Sequence, residues 1–275
     1  MKNRPTNCSP DSHYQSCILK LLSISIAFVL LPFFSSSQSL IVGIPSADVA
    51  PKGELELTHE SQFYTEGNPR KWNSFNILCY GLGNQTEITT TLNNLNNLDN
   101  NKLALGFGLK RYFSLSKNKD IDLRMTTGGN MLFSLFQSDI GGWVYSHLST
   151  RIPRLQTRLT AGFSYGSHHN FGYRLITAEV GQKPFKQNLT PFCFIGGIEQ
   201  PVYGNWSVIA DWYSGTHNLA DFIPALQYKI GHQVFIAGYK FPNPGSGGQE
   251  AFIFECMITI PGFKVNNPEG SVPKS

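Results

Sequence analysis

The second half of the chain repeats a regular pattern of apolar and polar residues. Across residues 188–263, segments of about ten residues alternate between the two characters and are separated by short turns. In residues 205–213, Trp206 and Val208 fall on one face and Asp211 falls on the other. Because successive side chains of a β-strand point to opposite faces, this pattern predicts an antiparallel β meander.

The same alternation extends back through most of the first half and predicts about twelve strands. If these strands form a transmembrane β-barrel, their number should be even, and a further strand at residues 172–180 would make thirteen strands. Residues 167–187 are therefore predicted to form one excursion, a long connection that adds no strand to the barrel. Ten and fourteen strands are the alternatives. The predicted strands are residues 54–64, 72–82, 86–93, 102–112, 120–133, 143–150, 155–165, 190–200, 205–213, 219–228, 234–241 and 251–260.

The lengths of the connections support this count. With twelve strands, the short turns at residues 201–205 and 230–233 fall at one end, and the longer loops at residues 213–218 and 242–249 fall at the other. Bacterial outer-membrane barrels have short turns on the periplasmic side and longer loops outside. The predicted fold is therefore all-β: a closed, antiparallel, up-and-down transmembrane barrel.

The N-terminal residues resemble an export signal. Lys2 and Arg4 precede an apolar run at residues 18–34, and serines follow it. A basic start, an apolar run and small residues predict a signal peptide of residues 1–37, cleaved after Ser37. An uncleaved membrane anchor is the alternative, since about 17 apolar residues is the lower limit for spanning a bilayer.

The remaining chain divides into three predicted parts. Residues 38–53 contain prolines and glycines that are unsuited to a central strand, so they are predicted to be extended and to lie at or inside the barrel mouth. We refer to them as the lead-in segment. The barrel is predicted over residues 54–263, and residues 264–275 are predicted to form a flexible tail. The predicted location is the outer membrane.

Composition narrows the functional classes. The hydrophobic content of 41% is too low for a bundle of membrane helices but suits a barrel, in which only alternate residues face lipid. The formal net charge of +4 comes without a clustered basic face, so nucleic acid is not an expected partner. Cys79, Cys193 and Cys256 are predicted to be small apolar strand residues, with a Cys193–Cys256 bridge as the alternative.

Charged residues in phase with the polar face are predicted to line the lumen. The two interpretations are a salt-bridged polar filling and a selectivity lining for a solute path. Eight-stranded barrels are filled by their own side chains and sixteen-stranded barrels leave a channel, so twelve strands permit either a narrow pore or a plugged one. The candidate lumen-lining residues are Glu54, Glu56, Glu60, Glu87, Arg124, Arg158, Glu199, Asp211, Asp221, Lys229 and Glu255.

The sequence offers little indication of catalysis. His147, His168, His169 and His217 are the histidines considered as bases for a lipid hydrolase with a neighbouring serine. The chain contains no G-x-S-x-G motif, and no spacing supplies three or four converging metal ligands. No catalytic, cofactor-binding or metal-binding residue is therefore assigned, and the protein is predicted not to be an enzyme.

The layout resembles the small outer-membrane β-barrels of Gram-negative bacteria, in particular the transporter-like group related to the phenol-degradation MetA barrels. The similarity lies in residues 44–49, residues 51–53 and the terminal strands at residues 206–213, 219–228 and 251–263. Such barrels usually end on an aromatic residue, whereas here residues 264–275 follow Phe263.

The resemblance implies a passive channel for small solutes, with outer-membrane lipid and the barrel-assembly machinery as further partners. One alternative is a barrel with a structural or adhesive role and no conducting lumen. A second is an outer-membrane enzyme that modifies lipids, and a third is a soluble exported β protein.

Overall fold

The structure is a computed structural model. It describes residues 40–66, 72–96, 103–118, 120–136, 140–168, 173–176, 185–188 and 191–262. The predicted signal peptide and the predicted tail lie outside these residues, and so does Phe263.

Twelve strands form a closed antiparallel barrel, as predicted. Going round the barrel, the strand order is β1-β14-β13-β12-β11-β10-β7-β6-β5-β4-β3-β2, and β1 pairs with β14 to close it. The barrel strands are β1 (Leu55–Tyr64), β2 (Trp72–Gly83), β3 (Thr86–Asn93), β4 (Ala104–Ser114), β5 (Arg124–Ser134), β6 (Ile140–Arg151), β7 (Arg158–Gly166), β10 (Phe192–Tyr203), β11 (Trp206–Tyr213), β12 (Asp221–Ile230), β13 (Gln233–Pro242) and β14 (Ala251–Ile260).

The excursion between β7 and β10 contains a small hairpin of its own. Strand β8 (Tyr173–Ile176) pairs with β9 (Phe185–Asn188) in a separate two-stranded sheet. Residues 173–176, within the pattern at residues 172–180, therefore pair in this separate sheet and not in the barrel. The barrel keeps its even strand number, as the single-excursion interpretation requires.

The connections fall at the two ends as predicted. The two-residue turns at residues 84–85, 204–205 and 231–232 lie at one end, which we call the short-turn end. The connections between β4 and β5 and between β6 and β7, which are longer, are at this end as well. Asn84 and Gln85 both have positive φ, as a tight hairpin turn of the primed type requires. Strands β1, β3, β5, β7, β11 and β13 end at the opposite end of the barrel, the long-loop end.

Two strands begin three or four residues later than the alternation predicted. Strand β5 begins at Arg124 instead of residue 120, and β7 begins at Arg158 instead of residue 155. Asp122 has a φ of 45° and Gln156 a φ of 56°, so the backbone at both positions leaves the extended conformation. Local turns therefore delay the start of both strands, although apolar and polar residues still alternate there.

The outer surface of the barrel is apolar. Phe107, Leu226 and Phe252 are 52%, 53% and 59% exposed, and similar side chains cover the other strands. An exposed apolar band of this kind is suited to lipid contact. Among the described residues, no helix combines the length and apolar character that crossing a bilayer requires.

The described part of the lead-in segment, from residue 40 onward, enters the interior of the barrel. Ile41, Val42 and Ile44 are each 0–1% exposed and pack against the inward side chains of Ile195 and Ile209. The segment leaves the lumen at the short-turn end, where Lys52 forms a parallel bridge with Gly81.

Gly81 is the point where the lead-in segment touches the wall most closely. A Cβ atom at this position would overlap the carbonyl oxygens of Ala50 and Pro51. The Gly53 amide also donates a hydrogen bond to the Gly81 carbonyl at 2.8 Å. Only glycine lets the two backbones approach this closely.

We expect Gly81→Ala to destabilise the protein by about 1–3 kcal/mol, because backbone atoms cannot move aside as a flexible side chain can. The measurement is urea unfolding in detergent micelles or lipid vesicles. Gly142→Ala is the matched control, since its Cβ would meet only Asn130 O at 3.5 Å. Equal stability of the two variants would contradict the close contact.

Candidate functional site

The centre of the lumen holds a carboxylate bound by three backbone amides. The amides of Val42, Gly43 and Ile44 all donate to Oδ2 of Asp211, at 3.1, 2.6 and 3.0 Å. Asp211 points inward from β11 and is 1% exposed. Successive amides that converge on one anion form a backbone nest, so the wall holds the lead-in segment through its main chain.

The aromatic ring of Tyr213 supports the same turn. Its hydroxyl donates to the Gly43 carbonyl at 3.1 Å, and Ile41 bonds back to Ile44 through their main chains at 2.9 Å. The amides of residues 41–44 and the carbonyl of Gly43 are thus all hydrogen-bonded. This local geometry explains how an irregular segment remains buried in the barrel.

A second anchor lies on β3. Oε2 of Glu87 accepts the Ala50 amide at 2.6 Å, and Oε1 of the same carboxylate forms an ion pair with Lys110 Nζ at 3.0 Å. Glu87 and Lys110 are 1% and 3% exposed. The lysine balances the charge of the carboxylate that holds the segment.

A third anchor is ionic and lies toward the short-turn end. Oδ1 of Asp48 is 2.5 Å from Nη1 of Arg124 and 3.8 Å from Nη2 of Arg158. Asp122 joins both arginines, at 2.7 and 2.9 Å. Burial opposes ionisation of Asp48, but the guanidinium groups of Arg158 and Arg124 hold its pKa below the ordinary value. The carboxylate therefore stays charged at neutral pH.

A cavity of about 370 Å³ lies between the lead-in segment and the long-loop end. Its floor is formed by Val42, Gly43 and Pro45, and we call it the vestibule. Aromatic side chains form one part of its wall, and polar and charged side chains form another. These wall residues include Phe75, Trp143, Tyr145, Tyr213, Glu60, Gln62, Thr91, Asn130, Asp221 and Lys240.

The charges around the vestibule are mostly paired. Lys240 Nζ lies 3.2 Å from Asp221 Oδ2, and both residues are about 95% buried, at 6% and 4% exposure. Gln62 donates to Glu60 at 2.6 Å. A volume of this size with both apolar and polar walls is suited to a small solute.

Seven of the predicted lumen residues are buried inside the barrel: Glu56, Glu60, Glu87, Arg158, Asp211, Asp221 and Glu255. The other four, Glu54, Arg124, Glu199 and Lys229, are half-buried. They do not form one site. Asp211, Glu87 and Arg124 contact the lead-in segment, whereas Glu60 and Asp221 line the vestibule.

The predicted set omitted several charged residues that matter. Lys110 and Lys240 are in phase with the inward positions of β4 and β13, so strict alternation would have identified both. Asp122 is in phase with Arg124 but lies in a turn, and Asp48 lies in the irregular lead-in segment, where no periodicity indicates the direction of a side chain. Their role depends on tertiary contacts with Arg124 and Arg158.

The histidines considered for catalysis are not arranged as a nucleophile and base. His147 points into the lumen, and neither ring nitrogen has a hydrogen-bond partner among the described residues. Nδ1 of His217 accepts the Leu219 amide at 3.2 Å, and burial lowers the pKa of His217 to about 4. His168 is exposed, and His169 lies outside the described residues.

The described residues contain no group of three or more histidine, cysteine, aspartate or glutamate side chains that could hold a metal ion. Cys79, Cys193 and Cys256 are free thiols. The alternative of a Cys193–Cys256 bridge is therefore not realised. Cys193 instead lies 3.0 Å from the hydroxyl of Ser164.

Comparisons with known proteins give a limited likeness. No protein-family model and no curated protein matches the sequence. Among solved structures, the chain is similar to the NanC porin, with a TM-score of 0.49 and 10% identity over 77% of this chain and 100% of that one.

Two further structures are similar at comparable levels. They are the KdgM porin in complex with disordered oligogalacturonate (TM-score 0.47, 9% identity, 76% of this chain and 99% of that one) and the translocator domain of the autotransporter NalP from Neisseria meningitidis (TM-score 0.40, 10% identity, 78% and 90%). The closed barrel itself follows from the strand pairing of this chain. The narrower resemblance to the phenol-degradation group stays a prediction.

The Lys240–Asp221 pair yields a prediction for stability. We expect Lys240→Met to cost about 3–5 kcal/mol, because it leaves the Asp221 carboxylate buried without its cation. Urea unfolding is the measurement, and the double variant with Asp221→Asn is expected to recover most of the loss. Lys117→Met, at an exposed loop position, serves as the control. A loss as small as that of the control would show that the pair is not needed.

Proposed function

We propose that the protein is an outer-membrane barrel that admits small solutes to its lumen, and that the lead-in segment controls their passage. The vestibule is the observation that carries the proposal. It offers a solute-sized space on the long-loop side, and its floor is the lead-in segment. Export by the predicted signal peptide and insertion by the barrel-assembly machinery are part of this proposal.

The way the segment is held supports a gate. Beside the apolar packing of Ile41, Val42 and Ile44, its polar contacts to the wall are hydrogen bonds and ion pairs at three carboxylates, Asp211, Glu87 and Asp48. Such contacts can be exchanged for water when the segment moves, whereas the barrel wall is held by continuous strand pairing. The segment can therefore leave its position without unfolding the barrel.

The second candidate is a barrel with a structural role and no conduction. The buried ion pairs favour it, because charges that pair with each other fill the interior of the barrel without any solute. Lys110–Glu87 and Lys240–Asp221 are examples. The two candidates differ in what happens when the lead-in segment is released.

Planar-bilayer conductance separates them. We expect the double variant Asp48→Asn/Asp211→Asn to show frequent channel openings at pH 7, since it weakens an ionic and an amide anchor together. The wild type and the control Asp120→Asn, an exposed loop acid, are expected to be mostly closed. A folded double variant that remains silent would favour the structural role, and a wild type that conducts equally well would rule out the gate.

The conductance of the wild type is also expected to depend on pH. The pKa of Asp48 is lower in the folded protein than in the unfolded chain. Its ionised carboxylate therefore stabilises the bound lead-in segment above the unfolded pKa of about 3.9, and this stabilisation is lost as pH falls through the folded pKa. Openings of the wild type should therefore increase at strongly acidic pH. The Asp48→Asn variant lacks this titrating group and should respond less.

A further inference from the structure

Three polar side chains that contact one another lie on the mostly apolar outer face of β1 and β2. His59 and Ser61 share the outward side of β1 with Leu57 and Phe63, and Asn76 is directly opposite His59 on β2. Polar groups at the lipid face are unfavourable unless they satisfy one another. Their presence here therefore needs a specific explanation.

The three side chains form a directed chain of hydrogen bonds. Nδ2 of Asn76 donates to the Leu92 carbonyl at 3.2 Å, which turns its Oδ1 toward the histidine. Nδ1 of His59 lies 2.8 Å from that oxygen, and Nε2 of His59 lies 3.0 Å from Oγ of Ser61. Both distances are those of good hydrogen bonds.

This chain determines the tautomer of His59. Because the Asn76 oxygen can only accept, Nδ1 must carry the proton, and Nε2 is left with its lone pair facing the Ser61 hydroxyl. A base held in this way can remove the serine proton. The order serine, histidine and amide is that of a nucleophile, its base and a residue that orients the base.

We propose that Ser61 and His59 are the catalytic residues of an esterase site that hydrolyses acyl esters of membrane lipids, and that Asn76 is the positioning residue. The site faces the lipid and lies nearer the long-loop end of β1. The proposal concerns the outer face and does not depend on conduction through the lumen.

The chemistry balances with an ester and water as reactants. Ser61 Oγ attacks the ester carbonyl while its proton passes to Nε2 of His59. Collapse of the tetrahedral intermediate breaks the bond to the alcohol oxygen, which takes the proton from His59 and leaves an acyl-serine. Water then attacks the acyl-serine while His59 accepts a proton from it. Collapse of this second intermediate breaks the bond between the acyl carbon and Ser61 Oγ, which takes the proton from His59, and a fatty acid is released.

The surroundings favour an acyl chain over a polar substrate. A groove of about 310 Å³ has His59 and Asn76 in its lining together with apolar side chains, including Leu57, Leu78, Leu92 and Ile258. On the other side of Ser61, the rings of Phe63 and Trp72 stack at 5.9 Å. A lipid in the surrounding bilayer can place its chain in the groove and its ester near Ser61.

The chain contains an internal control with the same spacing. His147 and Ser149 also stand two residues apart, but they point into the lumen, where Ser149 bonds to Thr160 at 3.2 Å. The ring nitrogens of His147 have no hydrogen-bond partner among the described residues. The spacing is thus the same in both places, but only His59 and Ser61 are hydrogen-bonded to each other.

The test uses the full protein in mixed micelles of detergent and a phosphatidylglycerol, with release of fatty acid as the readout. Ser61→Ala and His59→Asn are expected to lose at least about a thousandfold in kcat, as single removals from such a unit do. Ser149→Ala is expected to keep wild-type activity. Heat-modifiable gel migration checks that every variant is folded.

Two further readouts separate catalysis from a structural role. A fluorophosphonate should label Ser61, and because Ser61 is only 6% exposed, labelling also reports whether an ester can reach it. Asn76→Ala should lower kcat more than it changes KM, and Asn76→Asp should restore activity. Absence of labelling at Ser61, or hydrolysis that persists in folded Ser61→Ala, would overturn the proposal.

Discussion

The carboxylate of Asp211, bound by three consecutive amides of the lead-in segment, is the interaction on which the interior depends. A twelve-stranded barrel has more room than its own side chains fill, so an irregular segment can occupy the lumen only if its main chain finds partners there. Asp211 supplies acceptors for Val42, Gly43 and Ile44 at once. The contacts of Glu87 with Ala50, and of Arg124 with Asp48, extend the same principle toward the short-turn end.

This arrangement gives the two surfaces of the barrel separate roles. The lumen contains the lead-in segment and the vestibule, and conduction depends on whether that segment moves. The outer wall carries a hydrogen-bonded serine, histidine and asparagine, which can act on lipid whether the lumen is open or closed. The His59 and His147 environments illustrate the contrast, since the same two-residue spacing to a serine produces an assembled pair only outside.

Alternation was sufficient to predict the barrel because each strand face meets a different solvent. It predicted twelve strands, the two ends and the inward direction of residues such as Asp211 and Glu255. It failed where a turn keeps an alternating pattern, as at Asp122, and it could not assign Asp48, which has no periodic neighbours. No sequence motif marks His59 and Ser61, and only the register of β1 with β2 brings Asn76 beside them.

Amide hydrogen exchange of residues 40–50 tests the central claim most directly. If Asp211 holds the lead-in segment inside the barrel, the amides of Val42, Gly43 and Ile44 should be protected nearly as well as those of the barrel strands. Asp211→Asn should then speed up their exchange while the strands stay protected. Rapid exchange of these three amides in the wild-type protein would contradict the account.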